Sequence, residues 1–297
     1  MTRLLHISDL HFGAVDDQLL EPLLGLAQGL KPDAVVVSGD LTQRARPGQF
    51  RDASAYLARF GVPVIAVPGN HDAPLYNLPV RFLSPFGRYR RLVNQNLQPV
   101  LDLPGAVLAG VNTANPLAWK KGRLRAASAR ALAQAFAAVP AHRMRLAVMH
   151  HAPVPAADGA PADIDDPARV LVDLVAAGTD IVLSGHTHMP HFGAAETAAG
   201  ILFLQVGTAI STRLKTRWND CSLIEISGDS VTVRPFLTEA THRFEPAPIQ
   251  HFFRSDGRWQ SAEGPLGDAK PRRAVAINTR RPPCPPSCAP RTLADPP

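Results

Sequence analysis

Unbroken runs of apolar residues alternate with segments of helical periodicity through the first two hundred of the 297 residues. The first three runs cover residues 4–8, 34–37 and 62–67, and predicted helices over 19–30 and from Pro47 onward separate them. Consecutive apolar residues, in contrast to an alternation of apolar and polar ones, indicate strands buried on both faces, as in a parallel sheet covered by helices. The pattern therefore predicts an α/β fold.

The alternation continues with strands predicted at 106–111, 146–149 and 181–183 and helices predicted at 124–139 and 170–177. Beyond residue 200 only strands are predicted, at 201–206, 223–226 and 231–236. We expect these late strands to form a second sheet that packs on the first. The expected architecture is a four-layer α/β/β/α sandwich, in one domain over residues 1–263.

The composition changes at about residue 264, after which Pro and Arg dominate and little apolar periodicity remains. Burial of so few apolar side chains cannot offset the chain entropy lost on folding. Residues 264–297 are therefore predicted to form a disordered tail. Six basic and two acidic residues between 265 and 297 account for most of the formal net charge of +6. The folded body is therefore nearly neutral, and its charge does not require a polyanionic partner such as nucleic acid.

Cysteine content and the distribution of apolar residues indicate the cellular location. Cys221 falls in a predicted strand, whereas Cys284 and Cys288 lie in the tail without further metal ligands nearby, so no disulfide framework is expected. The first predicted strand starts close to Met1, which leaves no signal peptide, and no apolar run approaches the roughly 20 residues of a membrane-spanning helix. We expect a reduced, cytoplasmic location without a membrane partner.

Polar clusters follow five of the predicted strands. In chain order they are Asp9-Leu10-His11, Gly39-Asp40, Gly69-Asn70-His71-Asp72, His150-His151 and Gly185-His186-Thr187-His188. Carboxylate oxygens, amide oxygens and imidazole nitrogens are ligands for hard and borderline metal ions. In open α/β sheets, ligands bind beyond the carboxyl ends of the strands, so these clusters can converge despite their separation in sequence. Together the five clusters predict a metal site.

Each cluster taken singly has a simpler explanation. A Gly-Asp pair after a strand is usually a turn, and an isolated histidine is more often a half-buried core residue than a ligand. We keep that simpler explanation for the histidines outside the clusters, which are His6, His142, His191, His242 and His251. Within the clusters, Asp40 can bridge two ions because a carboxylate carries lone pairs on both oxygens. His150 is preferred to the adjacent His151 because it directly ends the strand, although the pair leaves that choice open.

The ordered clusters resemble the motifs D-x-H, G-D, G-N-H-[DE], H and G-H-x-H of the calcineurin-like metallophosphoesterase superfamily, over residues 9–188. The resemblance implies a first metal held by Asp9, His11, Asp40 and His188. It implies a second metal held by Asp40, Asn70, His150 and His186. His71 would be the catalytic histidine beside the scissile phosphate, without binding a metal itself.

Within the superfamily, residues 39–42 and 69–72 look most like class III cyclic-nucleotide phosphodiesterases and related glycerophosphodiesterases. Protein phosphatases carry an Asp-Arg-Gly extension where residues 43–45 read Gln-Arg-Ala, and purple acid phosphatases carry a ligand Tyr that does not closely follow Asp40 here. Lipid A pathway hydrolases usually place Arg at the position of His71. The resemblance implies hydrolysis of a small phosphodiester, with a 3′,5′-cyclic nucleotide such as cAMP as the first candidate.

The implied mechanism uses both ions. Two cations about 3.5–4 Å apart would bridge a water, lower its pKa and clamp the phosphate, so that the bridging hydroxide attacks phosphorus. His71 would protonate the leaving alkoxide or stabilise its charge. The mixed imidazole and oxygen ligands fit iron, manganese, zinc or cobalt.

Two other functions compete with this one: a DNA exonuclease of the same superfamily, and a non-catalytic scaffold that kept the fold. The nearly neutral body disfavours the exonuclease, and the complete ligand set disfavours the scaffold. Residues 73–104 fit either a phosphate-binding surface or a solvated helix face, and their arginines are Arg81, Arg88, Arg90 and Arg91. The side chains that fit a pocket lining after the strand at 106–111 are Asn112, Asn115, Trp119 and Lys120.

Overall fold

The apolar runs form strands of two mixed sheets in the computed structural model, which describes residues 1–195, 197–238 and 242–262. The strands are β1 (Thr2–Ile7), β2 (Ala34–Val37), β3 (Val64–Ala66), β4 (Val100–Leu103), β5 (Ala106–Val111), β6 (Met144–Met149), β7 (Ile181–Ser184), β8 (His191–Ala195), β9 (Ala198–Gln205), β10 (Asp220–Ser227), β11 (Ser230–Thr238), β12 (Phe244–Pro246), β13 (Gln250–Ser255) and β14 (Arg258–Ser261). The α-helices are α1 (Leu20–Leu30), α2 (Pro47–Ala58), α3 (Leu78–Leu83), α4 (Gly87–Leu92), α5 (Ala126–Phe136) and α6 (Pro167–Ala176).

The first sheet combines strands from the beginning and the end of the described chain. Its order is β14-β13-β11-β10-β1-β2-β3, with β12 beside β11. β1, β2 and β3 run parallel, whereas β10 runs antiparallel to β1, from Thr2 opposite Ile226 to His6 opposite Ser222. The second sheet has the order β4-β5-β6-β7-β9-β8, and its strands β5, β6, β7 and β9 are parallel.

One expectation about the sheets is wrong. β10 and β11, which we expected in a separate second sheet, extend the N-terminal sheet, and β4 to β9 from the middle of the chain form the second one. Apolar periodicity indicates that a segment is a buried strand, but it does not report which strand pairs with it. The residues that pair β10 with β1 lie more than two hundred positions apart.

The two sheets face each other, and helices cover their outer faces. Adjacent residues of β1 enter different layers, because Leu5 packs with α1 and α2 whereas Leu4 packs between the sheets. On the opposite side, Leu132 of α5 and Leu174 of α6 cover the second sheet. The result is the predicted four-layer α/β/β/α sandwich, with its inner strands buried on both faces.

The sequence pattern does not predict β4, β8, β12, β13, β14, α3 or α4. β4 and β8 form the edges of the second sheet and include exposed positions, so they lack an unbroken apolar run. α3 and α4 have six residues each, which is too short to display a helical period.

Three further expectations concern single segments of the chain. Cys221 is buried in β10, as expected of a core residue. None of the described helices is long and apolar enough to cross a bilayer. The predicted tail over 264–297, with Cys284 and Cys288, lies outside the described residues.

Candidate metal centre

The loops after five strands bring the predicted side chains to one edge of the two facing sheets. β1 leads to Asp9 and His11, β2 to Asp40, β3 to Asn70 and His71, β6 to His150, and β7 to His186 and His188. All are buried except His71, which is half-buried. The first three strands belong to the first sheet and the other two to the second, so the site forms where the carboxyl ends of strands from both sheets meet.

Asp9, His11 and His188 form the first group of potential ligand atoms. The Nε2 atoms of His11 and His188 are 3.2 Å apart, and His188 Nε2 is 3.1 Å from Asp9 Oδ1. Asp40 Oδ2 completes the group at 3.8 Å from His11 Nε2. Donor atoms of four side chains therefore surround one point, as in a four-ligand metal site.

A second group forms around His150. Its Nε2 atom is 3.2 Å from Asn70 Oδ1 and 3.3 Å from His186 Nδ1. Asp40 Oδ2 is 3.3 Å from the same Nε2 atom. The structure thus brings together all seven side chains predicted as ligands, in the two groups that the resemblance implies.

Asp40 belongs to both groups through a single oxygen. Its Oδ2 atom faces His11 on one side and His150 on the other, while its Oδ1 atom accepts a hydrogen bond from the backbone N–H of His71 at 2.8 Å. Burial opposes ionisation of Asp40, but His150 and other nearby imidazoles hold the pKa of this carboxyl well below its usual range. An ionised oxygen shared by two donor groups is suited to bridging two cations.

The donor set fits metal ions. Asp9 Oδ1 is buried and has no hydrogen-bond partner among the described residues, which is costly unless a cation faces it. Imidazole nitrogens whose lone pairs approach within 3.2 Å of each other repel, unless a proton or a cation lies between them. Imidazole together with carboxylate and amide oxygen suits iron, manganese, zinc or cobalt.

The backbone at the site is strained. Five of the seven predicted ligands have positive φ angles, with values of 52° for Asp9, 49° for His11, 49° for Asp40, 74° for His186 and 57° for His188. This left-handed region is uncommon for residues other than glycine and costs on the order of 1–3 kcal/mol at each position. Such strain persists only where the surrounding fold imposes it, and it is concentrated at functional sites.

Two glycines of the motifs allow close approach of the loops. A side chain at Gly69 would collide with the Asp40 carboxylate, and one at Gly185 would collide with Ser8 and the Asp9 carboxylate. The loops after β2 and β3 are also joined by Asp72, whose carboxylate accepts hydrogen bonds from the backbone of both. Burial raises the pKa of Asp72 to about 7, and the charge of Asp40 acts in the same direction. Glycine and Asp72 therefore position the ligands without contacting a metal.

Polar groups outside the two donor groups orient the histidine rings. Nδ1 of His150 lies 2.8 Å from the carbonyl of Ser38, and Nδ1 of His188 lies 2.6 Å from the carbonyl of Arg213. Because a carbonyl only accepts, each Nδ1 carries the proton and each Nε2 presents its lone pair to the site. Such partners fix the tautomer of a ligand histidine and raise its basicity.

Asp163 orients the ring of His186, and the sequence analysis did not identify it. Its Oδ2 atom is 2.9 Å from His186 Nε2 and 2.6 Å from the ammonium of Lys120. The hydrogen bond from His186, followed by that from Lys120, holds the pKa of Asp163 well below its usual range. No motif surrounds Asp163 in the sequence, so only its place in the fold reveals this contact.

The structure distinguishes His150 from His151. Ring nitrogens of His150, His151 and His186 lie within 4.8 Å of one another, but both nitrogens of His151 already have other partners. Its Nδ1 atom is 2.9 Å from the hydroxyl of Thr113, and its Nε2 atom is 2.8 Å from the carbonyl of Lys120. The geometry therefore favours His150 as the ligand, as expected from its position at the strand end.

His71 stands at the mouth of the site, beside the first donor group. Its ring is edge-on to that of His11, with centroids 4.9 Å apart. Nδ1 of His71 donates to the carbonyl of Gln43 at 3.0 Å, and burial lowers the pKa of the ring. Arg213 Nη1 lies 2.9 Å from Nε2 and 3.5 Å from Nδ1, so the guanidinium rests against the ring and is not in line with the Nε2 lone pair.

A cleft of about 340 Å³ opens above these side chains. Its lining residues are Asp40, Asn70, His71, Trp119, Lys120, His186, His188, Arg213, Leu214 and Lys215. Trp119 and Lys120 therefore line the cleft, whereas the side chains of Asn112 and Asn115 accept backbone hydrogen bonds within their own loop.

Arg81 has a structural role that neither sequence alternative anticipated. It is buried, and its guanidinium donates to the carbonyls of Pro74, Pro116 and Ala118 at 2.6–3.0 Å. The guanidinium also lies 5.2 Å from the centre of the Trp119 ring. Arg81 therefore fixes the loop that carries Trp119 to the rim of the cleft.

Comparison with known proteins shows the family of the chain. The family model of calcineurin-like phosphoesterases matches residues 2–190, and the chain belongs to that family. The match confirms the resemblance drawn from the motifs and, with it, the predicted class of protein.

Two curated relatives resemble parts of the chain. The chain is 31% identical over 202 residues to a cAMP/cGMP dual specificity phosphodiesterase of Mycobacterium tuberculosis, which covers 62% of this chain and 61% of that protein. It is 37% identical over 82 residues to the glycerophosphodiester phosphodiesterase GpdQ of Enterobacter lignolyticus, over 23% of this chain and 29% of that protein. The chain thus spans less than two thirds of the length of these relatives.

The fold resembles that of a dimetal phosphatase from Danio rerio. The two superpose with a TM-score of 0.59 at 13% sequence identity, over 86% of this chain and 99% of that one. At this identity the likeness concerns the fold, and it confirms the predicted sandwich.

Proposed function

We propose that the protein is a dinuclear metal-dependent phosphodiesterase whose substrate is a small phosphodiester, with a 3′,5′-cyclic nucleotide such as cAMP as the first candidate. The observation that carries the proposal is the shared Asp40 Oδ2 atom, which faces two complete groups of donors beneath an open cleft. Asp9, His11, Asp40 and His188 would hold one ion. Asp40, Asn70, His150 and His186 would hold the other.

Bound ions would supply an activated water and neutralise charge on the phosphate. The chain itself holds the donors in place through the strained loops and the oriented rings, so little reorganisation is needed when substrate arrives. His71 lines the cleft with Nδ1 bound to the carbonyl of Gln43, which leaves Nε2 as the ring nitrogen that would face the leaving group. Its proposed role is to assist departure of the alkoxide.

Two observations support a small substrate. Two of the matched relatives are named for small phosphodiesters, one for cAMP and cGMP and one for glycerophosphodiesters. Trp119 is 61% exposed on the rim of the cleft, and the ring face opposite Arg81 would offer a nucleobase a surface to stack on.

The test compares hydrolysis of cAMP with degradation of single-stranded DNA by the full-length, manganese-loaded protein at two salt concentrations. Contacts with many phosphates make binding fall steeply with salt, whereas a single phosphodiester gives a shallow dependence. We expect cAMP hydrolysis with a shallow dependence. Efficient degradation of DNA with a steep dependence, while cAMP stays intact, would replace this proposal with the exonuclease.

A further inference from the structure

Arg213 lies in the segment between β9 and β10, which folds over the donor groups. The hydroxyl of Thr208 donates to the carbonyl of Asp9 at 2.6 Å, and the backbone N–H of Thr212 donates to the carbonyl of Ala14 at 2.9 Å. The carbonyl of Arg213 itself accepts from His188 Nδ1 at 2.6 Å. The backbone of Arg213 is therefore fixed relative to the predicted metal ligands.

The guanidinium of Arg213 points into the same cleft. Its Nη1 atom is 2.9 Å from His71 Nε2 and 3.1 Å from Gln43 Oε1, and neither partner is a carboxylate. Among the described residues no carboxylate forms an ion pair with it. Lys120, which also lines the cleft, is in contrast paired with Asp163 at 2.6 Å. Arg213 thus brings an uncompensated positive charge to the edge of the reaction site.

The position of the Arg213 guanidinium next to His71 determines which substrate atoms it can contact. A substrate oxygen within hydrogen-bond distance of His71 Nε2 is also within reach of a guanidinium nitrogen that lies 2.9 Å from the same atom. Nδ1 of His71 is already bound to the carbonyl of Gln43 at 3.0 Å, so it is not available to such an oxygen. A hydrogen bond to an anionic oxygen at this place is therefore available from Arg213.

We infer that Arg213 is a further catalytic residue, which donates a hydrogen bond to an oxygen of the reacting phosphate on the leaving-group side. The inference rests on the proposed phosphodiesterase function. A planar guanidinium matches the geometry of phosphate oxygens and remains charged throughout the reaction. Gln43 is its positioning residue, since the side chain holds Arg213 and the carbonyl holds His71.

A purely structural role for Arg213 is disfavoured by comparison with Arg81. Arg81 is buried and satisfied by three carbonyls, whereas the Arg213 side chain is exposed and contacts only Gln43 and His71 among the described side chains. The contact that orients His188 comes from the backbone carbonyl of Arg213, which every substitution keeps. Replacing the Arg213 side chain therefore removes its proposed contact with the phosphate and keeps the backbone contact that orients His188.

The test uses Arg213→Ala, Arg213→Lys and the matched control Arg217→Ala in the full-length protein. Arg217 is exposed on the same segment but lines a different cleft, with Asp16 and Leu19. We expect Arg213→Ala to retain both metals and to lose about 10²–10³-fold in kcat on a phosphodiester. Arg213→Lys should recover part of the loss, and Arg217→Ala should stay within about threefold of wild type.

Binding of inorganic phosphate, measured by calorimetry on the metal-loaded proteins, gives a second readout. Removing a charge-assisted hydrogen bond should weaken phosphate binding by about 10–100-fold in Arg213→Ala and leave Arg217→Ala unchanged. Loss of metal from Arg213→Ala, or equal losses in both variants, would overturn the inference in favour of a structural or a general electrostatic effect.

The outcomes also separate this inference from the proposed function. If wild type hydrolyses phosphodiesters while Arg213→Ala retains its activity and phosphate affinity, the Arg213 assignment fails alone. If wild type hydrolyses no phosphodiester but binds phosphate through Arg213, the proposed reaction fails and the anion contact stands.

Discussion

At the scale of single residues, Asp40 is the side chain on which both donor groups depend. Its Oδ2 atom is the atom that they share, so replacing it removes one donor from each group. We expect Asp40→Ala to remove or scramble both metals, whereas Asn70→Ala should weaken the one next to His150. Elemental analysis of metal per chain after loading and dialysis measures this. His151→Gln is the control and should keep both ions, and a full two equivalents in Asp40→Ala would contradict the bridging role.

Asp163 offers a second prediction at this scale, because it acts through His186 without facing the ions. Loss of a carboxylate behind a ligand histidine typically lowers metal affinity by about 10–100-fold. We expect a decrease of this size in Asp163→Asn, measured by competition with a chelator. Asp165→Asn is the matched control, since Asp165 pairs with Lys121 at the surface. Similar affinities for the two variants would show that the Asp163 contact does not support the site.

At the scale of elements, the site depends on loops that pass close to one another at the ends of the strands. Gly69 is where the loop after β3 crosses the Asp40 carboxylate, and no room exists there for a side chain. We therefore expect Gly69→Ala to displace the carboxylate and impair metal loading, with the sheets intact by circular dichroism.

Gly25 provides the matched control for this substitution. It lies on an exposed part of α1 with no atom near the position of an added Cβ, so Gly25→Ala should stabilise the protein by about 0.5–1 kcal/mol and leave metal loading unchanged. Normal loading of Gly69→Ala would mean that the loop yields without disturbing Asp40.

At the scale of the whole molecule, removal of the predicted tail shows whether residues 264–297 contribute to stability. The composition of 264–297 offers few apolar side chains, so truncation before Pro265 should leave the melting temperature and turnover unchanged. Trp259 of β14, close to the truncation point, should in contrast be needed for stability. It is buried between the sheets and donates to the carbonyl of Asp180, so Trp259→Ala should cost about 3–5 kcal/mol. A large drop in melting temperature on truncation would show that the tail packs on the body.

The sequence alone determined the class of fold and the side chains that converge at the site. Both can be predicted from local sequence signals. An unbroken apolar run indicates burial on both faces, and a polar cluster at its end indicates the edge of a sheet. The segment 106–111 coincides with β5, and the seven predicted ligands lie close together around Asp40.

Only the tertiary structure decided the features that depend on distant partners. The pairing of β10 with β1, the single shared oxygen of Asp40, the contact of Asp163 with His186 and the guanidinium of Arg213 against His71 all join residues far apart in sequence. The left-handed backbone at Asp9 and His188 has the same origin. Local preference opposes that conformation, and the packing of two sheets around one edge imposes it.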